Sequence, residues 1–132
     1  MTGSKRIFSV LLLLVIILTG CGEDSVKEDI SVFNKSIELR TDINSARNVM
    51  VEFYNTFYGA INEKCKITEE NLTPGRYRVT LTREPIFEGP KAAEKFVMIV
   101  KFDGMKWKVL IVEKNWKCKG NLMGEWGIEG CN

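Results

Sequence analysis

The chain has 132 residues, of which 45% are hydrophobic, so it is long enough for one globular domain and too apolar to be disordered. Its 19 basic and 17 acidic side chains leave a net charge of +2, without the strong basic excess of nucleic-acid-binding domains. The chain has four cysteines and no histidine, which excludes Ser-His and Cys-His nucleophiles. These counts predict a non-enzymatic protein with no cofactor and no nucleic-acid partner.

Residues 1–20 have the features of a secretory signal peptide. Lys5 and Arg6 precede an apolar run over 7–18. At about 12 residues this run is too short to span a bilayer, which takes about 20. The run ends at Leu18-Thr19-Gly20-Cys21, which resembles the lipobox of bacterial lipoproteins. The resemblance implies cleavage before Cys21, diacylglycerol on its thiol and a further acyl chain, such as palmitate, on the new amino terminus. The alternative is an uncleaved membrane anchor that ends at Cys21.

Residues 21–35 are predicted to be a lipidated cysteine followed by an acidic, solvated tether to a single domain over 36–132. Lys5 and Arg6 leave with the signal peptide, so the mature chain is neutral in side-chain charge and its acyl chains must supply the membrane affinity. Gly22 after the lipidated cysteine fits the sorting of this class of lipoprotein to the outer membrane. The expected location is the bacterial cell envelope, at the outer membrane facing the periplasm.

Apolar residues three and four positions apart predict one long helix over residues 36–64. Cys65 continues the same stripe and is expected to face the core. A helix this apolar is not stable alone in water, so other elements must cover it. The stripe consists of Leu39, Ile43, Ala46, Met50, Phe53, Phe57 and Ile61.

At least three strands are predicted after a turn at residues 71–75. Residues 76–83 alternate strictly between polar and apolar, and Asp103-Gly104 is a strong hairpin signal between strands over 94–102 and 105–112. A two-residue loop pairs Phe102 with Met105, Val100 with Trp107, Met98 with Val109 and Phe96 with Ile111, and these four apolar pairs form the predicted buried face of the hairpin. The predicted fold class is α+β: one long amino-terminal helix packed on an antiparallel sheet of three to four strands, with a disulfide-closed carboxy-terminal loop.

Three cysteines remain after Cys21, in a compartment where disulfides persist. Cys118 and Cys131 enclose a glycine-rich loop with little to bury, so a bridge between them is predicted, and Cys65–Cys118 is the next pairing. The cysteine left over is expected to be a small buried residue rather than a reactive thiol. Too few cysteines remain for a tetrahedral zinc site. Sites made of carboxylates alone are possible, but the nearest acidic pairs, Glu69-Glu70 and Glu84 with Glu88, lie in predicted loops without calcium-loop spacing, so no metal is expected.

Two surface features are candidates for partner binding. Met123 and Trp126 lie in the predicted disulfide-closed loop, where an exposed aromatic tip would bind a partner. The alternative is that Trp126 folds back on the sheet as a lid. Residues 101–119 contain six lysines with Trp107 and Trp116, which indicates either a polyanion-binding face or, as we favour, a solubilising strand face.

Two families share parts of this pattern. Residues 46–132 are similar to the globular part of type IV pilins. The shared pattern is the long helix, Gly75-Arg76-Tyr77 opening the first strand, the hairpin, and Trp116-Lys117-Cys118 closing to Cys131. In that family the terminal bridge encloses a variable recognition loop. Residues 36–113, whose hairpin reads DGMKWKV over 103–109, resemble small cystatin-like or nuclear-transport-factor-like lipoprotein domains.

The sequence therefore predicts a lipid-anchored, non-enzymatic lipoprotein of the cell envelope that binds another protein or contributes to envelope assembly. The alternative is a small-ligand-binding lipoprotein, or a hydrolase, with a pocket between helix and sheet. That alternative needs polar groups that converge on the pocket.

Overall fold

The protein is built on a five-stranded antiparallel sheet, and the computed structural model describes residues 23–120 and 124–131. Its elements are β1 (Val26–Lys27), α1 (Ser31–Ile37), α2 (Ala46–Phe57), β2 (Cys65–Thr73), β3 (Arg76–Arg83), β4 (Lys91–Phe102) and β5 (Trp107–Cys118). The strand order is β1-β5-β4-β3-β2, so the first and last strands of the chain are neighbours. The sheet therefore has five strands rather than the predicted three to four.

The predicted long helix over 36–64 is wrong, because that segment contains the end of α1, a loop and α2. Ser45 starts α2 as an N-cap: its side-chain oxygen accepts a hydrogen bond from the N–H of Asn48 at 3.1 Å. The helix ends before Gly59, whose φ of +113° is left-handed. The apolar spacing that predicted one helix continues through the cap at Ser45 and beyond the end of α2 at Phe57, so it indicated neither boundary. Leu39, a member of the predicted stripe, is 87% exposed.

The middle of the predicted stripe does pack against the sheet. Met50 and Phe53 of α2 are buried, and the Phe53 ring meets the ring of Phe33 from α1 edge-on, with centroids 5.4 Å apart. The sheet contributes the facing layer of the core: Val79, Leu81, Phe96, Met98, Val100, Val109 and Val112. The space between α2 and the sheet, where the alternative function required a pocket, is filled by these apolar side chains.

β3 confirms the predicted strand, whereas β2 was not predicted. Val79 and Leu81 of β3 are buried, as the alternation requires. β2 pairs with β3 along its length and takes up residues that had been assigned to the helix end and the turn, so Cys65 begins a strand. Most side chains of β2 are polar and exposed because it is an edge strand, and such a strand lacks the apolar alternation that identifies strands in a sequence.

The β4–β5 hairpin is present, but the predicted two-residue loop is wrong. Phe102 lies opposite Trp107 rather than Met105, so the loop has four residues. The Asp103 carboxylate accepts hydrogen bonds from the N–H groups of Met105 at 2.9 Å and Lys106 at 2.8 Å. These bonds stabilise the wider turn, which the Asp-Gly pair alone does not reveal.

A β-bulge in β5 changes the register a second time. The pairing shifts between Ile99 and Val100, where Leu110 is the extra residue on β5. The bulge moves the buried face of β5 from Ile111 to Val112. The inward face of β4 is as predicted, with Phe96, Met98 and Val100 buried.

Candidate functional site

The predicted disulfide between Cys118 and Cys131 is confirmed, with Cα atoms 5.3 Å apart. It joins the end of β5 to residues 124–131, which we call the tail loop. Cys65 is the unpaired cysteine of the described residues, and it is half-buried. Cys21, the predicted lipidation residue, and Met123, a candidate partner-binding residue, lie outside the described residues.

Trp126 lies over the sheet and is half-buried. The ammonium groups of Lys95 and Lys117 each sit 4.6 Å from its ring centroid. The tail loop also pairs with β5, because Trp116 and Gly127 exchange two main-chain hydrogen bonds of 3.0 Å. Trp126 thus folds back on the sheet, as the lid alternative describes. Its role in partner binding stays a prediction.

The chain before β1 is attached to the same end of the sheet, which we call the tail end. Glu23 forms an ion pair with Lys95, and the hydrogen bond in that pair holds the pKa of Glu23 below its usual value. The side-chain amide of Asn115, only 4% exposed, donates to Glu23 and, at 3.1 Å, to the carbonyl of Asp24. The folded domain therefore begins by residue 23, within the segment predicted to be a solvated tether.

A polar cluster attaches the end of α2 to β5. The Glu28 carboxylate accepts one hydrogen bond from the Tyr58 hydroxyl and forms an ion pair with the Lys114 ammonium at 2.8 Å. Burial, together with the bond to Glu28, raises the pKa of Tyr58 to about 12. Burial alone would raise the pKa of Glu28, but the bonds from Lys114 and Tyr58 outweigh it, so that pKa is lowered. All three groups hold one charge state near neutral pH, which fits a structural role.

The outward main-chain groups of β5 are covered along most of the strand. Asn34 of α1 takes the place of a neighbouring strand, because its side-chain oxygen accepts from the Val109 N–H at 2.8 Å and its amide nitrogen donates to the Val109 carbonyl at 2.9 Å. Toward the tail end the covering pairs are Glu28 with Val112, Val26 with Lys114, and Gly127 with Trp116.

Among the described residues, no strand or side chain pairs with the outward main-chain groups of β5 at Trp107. Outward main-chain groups recur every second residue of a strand, so the N–H and C=O of Trp107 point to the same side as those of Val109. β1 and the tail loop do not extend this far along β5. Trp107 is held in place, since its indole N–H donates to the Ile43 carbonyl at 3.0 Å and its ring stacks on Phe102 with centroids 4.5 Å apart.

A cleft of about 310 Å³ lies beside this position, and we call it the turn-end cleft. α1 forms one wall and the β4–β5 hairpin forms the other, with Trp107 between them. Its ionisable lining is four lysines and two carboxylates: Lys35, Lys101, Lys106, Lys108, Glu38 and Asp103. The cleft therefore carries a net positive charge beside an aromatic ring and a strand position that the described residues leave unpaired.

Within residues 23–120 and 124–131, no group of three or more cysteine or carboxylate side chains is placed to hold a metal ion. No helix in these ranges combines the length and the apolar character needed to cross a bilayer. A smaller cavity of about 200 Å³ lies at the tail end, between Asp24 and the tail loop.

Comparisons with protein-family models, with curated proteins and with solved structures return no match. The resemblances to lipoproteins, to pilins and to cystatin-like domains therefore stay predictions. The pattern shared with pilins included the long helix, which α1 and α2 replace.

The turn-end cleft was missed by the sequence analysis. The favoured interpretation assigned Trp107 to the buried face and the neighbouring lysines to a solubilising face, and only the polyanion-binding alternative placed them in one site. The concentration of lysines around Trp107 was the available signal. The missing information was the position of α1, which forms the second wall.

Proposed function

We propose that this protein is a lipid-anchored, non-enzymatic lipoprotein of the bacterial cell envelope that holds an extended, acidic segment of another protein in the turn-end cleft. The observation that supports the binding role is the uncovered strand position at Trp107 beside a positively charged cleft. The lipobox at Leu18-Thr19-Gly20-Cys21 supports the anchor.

An extended peptide can bind a sheet edge as an added strand, with main-chain hydrogen bonds supplying affinity and side-chain contacts supplying specificity. Trp107 offers a main-chain donor and acceptor at such an edge, and its ring offers an apolar wall. Lys35, Lys101 and Lys108 line the same cleft and favour carboxylate side chains. A short acidic strand satisfies all of these features.

The free edge is short, because Asn34 covers β5 from Val109 onward. A partner strand therefore pairs with only the turn end of β5. Met105 in the hairpin turn is 85% exposed and, with the exposed Leu39 after α1, supplies further apolar contact next to the lining residues. A contact of this size fits a transient interaction rather than a permanent complex.

The binding role is tested with fluorescein-labelled octapeptides that alternate valine with glutamate, and with a matched set that alternates valine with lysine. Fluorescence anisotropy should show binding of the glutamate peptide alone. The double variant Lys35→Glu/Lys108→Glu should weaken binding about tenfold, because it replaces two attractive charges by repulsive ones. The control Lys27→Glu/Lys66→Glu makes the same charge change elsewhere and should leave binding unchanged.

A second peptide separates strand pairing from simple charge attraction. The glutamate peptide N-methylated at alternate residues keeps its charge but loses main-chain donors, so it should bind much more weakly. Equal binding of the methylated and unmethylated peptides, or of the lysine and glutamate sets, would contradict the proposal.

The anchor is tested separately at Cys21. Cys21→Ser should abolish incorporation of labelled fatty acid and leave the precursor uncleaved, whereas Cys65→Ser, which removes the other unpaired thiol, should be processed normally. Normal acylation of the Cys21→Ser protein would show that the anchor lies elsewhere or does not exist.

The volume of the turn-end cleft favours one second candidate, a lipoprotein that binds a small anionic ligand. At about 310 Å³ the cleft lies at the lower end of the range of about 300–1,000 Å³ for small-molecule sites. Indole-3-acetate and benzoate are suitable probes, because each joins a carboxylate to an aromatic ring. A rise in melting temperature with these probes, without binding of the glutamate peptide, would favour this second function.

A further inference from the structure

The described chain begins at Glu23, which is already attached to the sheet through Lys95 and Asn115. Only Gly22 separates it from Cys21. Two steps of extended chain span about 7 Å, so Cys21 lies no farther than about this distance from Glu23. An acyl group on Cys21 would therefore hold the tail end of the sheet close to the bilayer.

We infer that the tail end rests on the lipid surface, so that the domain has a fixed orientation with its turn-end cleft directed away from the membrane. This inference rests on the acylation of Cys21 proposed above. It adds a second lipid contact, made by the folded domain itself.

Two exposed apolar side chains lie at the tail end. Phe87, in the loop between β3 and β4, is 70% exposed, and Ile128, in the tail loop, is 40% exposed. Phe87 is placed there by Lys119, which follows the disulfide and donates to the Phe87 carbonyl. Ile128 lines the small cavity that Asp24 also lines. Such side chains gain free energy on leaving water for the interface of a bilayer.

Tryptophan and lysine side chains accompany these two residues. The Lys64 ammonium lies 4.3 Å from the Phe87 ring centroid, and that of Lys91 lies 4.3 Å from the Trp116 ring centroid. The ammonium groups of Lys95 and Lys117 lie over the Trp126 ring in the same way. Tryptophan is enriched at membrane interfaces, and an ammonium group held over a ring at headgroup depth stays in the polar layer of the bilayer.

Charge at the tail end does not select anionic lipid. This end carries both signs of charge, because Glu23 pairs with Lys95 and two further carboxylates, Glu125 and Glu129, line the small cavity. A polybasic patch would draw the domain to anionic headgroups, whereas a balanced surface does not. The contact therefore depends on the apolar and aromatic side chains and should form on neutral lipid.

The two ends of the sheet are far apart. β4 and β5 have 12 residues each, and a strand rises about 3.3 Å per residue, so the turn end stands about 40 Å from the tail end. With the tail end on lipid, a partner reaches the cleft without approaching the membrane.

The test uses the acylated mature protein with Cys65→Ser, so that one introduced cysteine can carry a nitroxide under non-reducing conditions. Phe87→Cys labels the tail end, and Met105→Cys is the matched exposed position at the turn end. The protein is bound to phosphatidylcholine vesicles, with and without phosphatidylglycerol. On both, the label at 87 should lose accessibility to a water-soluble nickel complex and gain accessibility to oxygen, whereas the label at 105 should remain accessible to nickel.

The outcomes separate the inference from the function on which it rests. Vesicle flotation and mass spectrometry report acylation of Cys21 in the same samples. An acylated, floating protein whose label at 87 is as accessible to nickel as the label at 105 overturns the orientation and leaves the anchor standing. Protection at 87 that requires phosphatidylglycerol overturns the apolar basis of the contact. Protein that carries no acyl chain and does not float overturns the anchor and the orientation together.

Discussion

The tail end and the turn end of the β4–β5 hairpin differ in how the edge of β5 is completed. At the tail end, β1, the tail loop and a disulfide all attach to β5. At the turn end a single side chain, Asn34, takes the place of a neighbouring strand, and the described residues leave the outward main-chain groups of Trp107 unpaired. β1 and the tail loop, the two segments that flank the central fold, therefore both pair with β5 at the tail end. The candidate binding site is therefore the part of β5 whose outward main-chain groups the described residues leave unpaired, and it does not depend on a reactive side chain.

The largest expected effect comes from breaking the tail end at its disulfide. Cys118→Ser/Cys131→Ser frees the tail loop and should lower the free energy of unfolding by roughly 3 kcal/mol in urea titrations, the value for closing a loop of this length. Cys65→Ser should change it far less. Below the unfolding transition, the glutamate peptide should still bind the double variant. Loss of that binding would mean that the two ends are not independent.

Trp126→Ala tests the lid at the tail end and should lower the free energy of unfolding by about 2 kcal/mol, through lost burial and two lost cation–π contacts. Trp126→Phe keeps an aromatic face for Lys95 and Lys117 and should lose less. Unchanged stability together with weaker partner binding would instead restore Trp126 as a partner-binding residue.

Asn34→Ala enlarges the open edge at the turn end. It removes both hydrogen bonds to the Val109 main chain and should cost about 1 kcal/mol of stability, since water can reach the exposed groups. The glutamate peptide should bind the variant more tightly, because one more strand position becomes free. The matched control is Asn44→Ala, an exposed asparagine outside the cleft, and equal effects on peptide binding would contradict the role of the edge.

The smallest expected effect is a change in how the free energy of unfolding depends on acidic pH. The folded protein lowers the pKa of Glu28, so this group stabilises the fold above its unfolded pKa of about 4.3, and that stabilisation is lost as the pH falls through the lower, folded pKa. The free energy of unfolding should therefore decrease on acidification below about pH 4.3. Glu28→Gln should flatten this decrease by a few tenths of a kcal/mol to about 1 kcal/mol. Identical pH profiles for the variant and the wild type would show that the cluster with Tyr58 and Lys114 does not contribute.

Features that depend on residue type over a short stretch were predictable. The Cys118–Cys131 bridge follows from a loop that buries little, and β3 follows from strict alternation. The inward face of β4 was also correct even though the hairpin loop was not, because moving the partner strand leaves the faces of β4 unchanged.

Features that depend on distant partners were not predictable. The apolar spacing continued through Ser45, where a side-chain cap starts a new helix, and periodicity contains no information about that cap. The bulge at Leu110 and the docking of Glu23 depend on contacts across the fold. The turn-end cleft was not predictable for the same reason, since Lys35 and Lys108 line one cleft only after α1 packs beside β5.

The pairing of β1 with β5 also sets the order in which the fold can close. Ser25 and Glu113, which meet beside this pair, are separated by 88 residues. A nascent chain that lacks β5 has nothing for β1 to pair with, and contacts this distant in sequence form late because their loop-closure entropy is large. The fold is thus completed only after nearly the whole polypeptide is available.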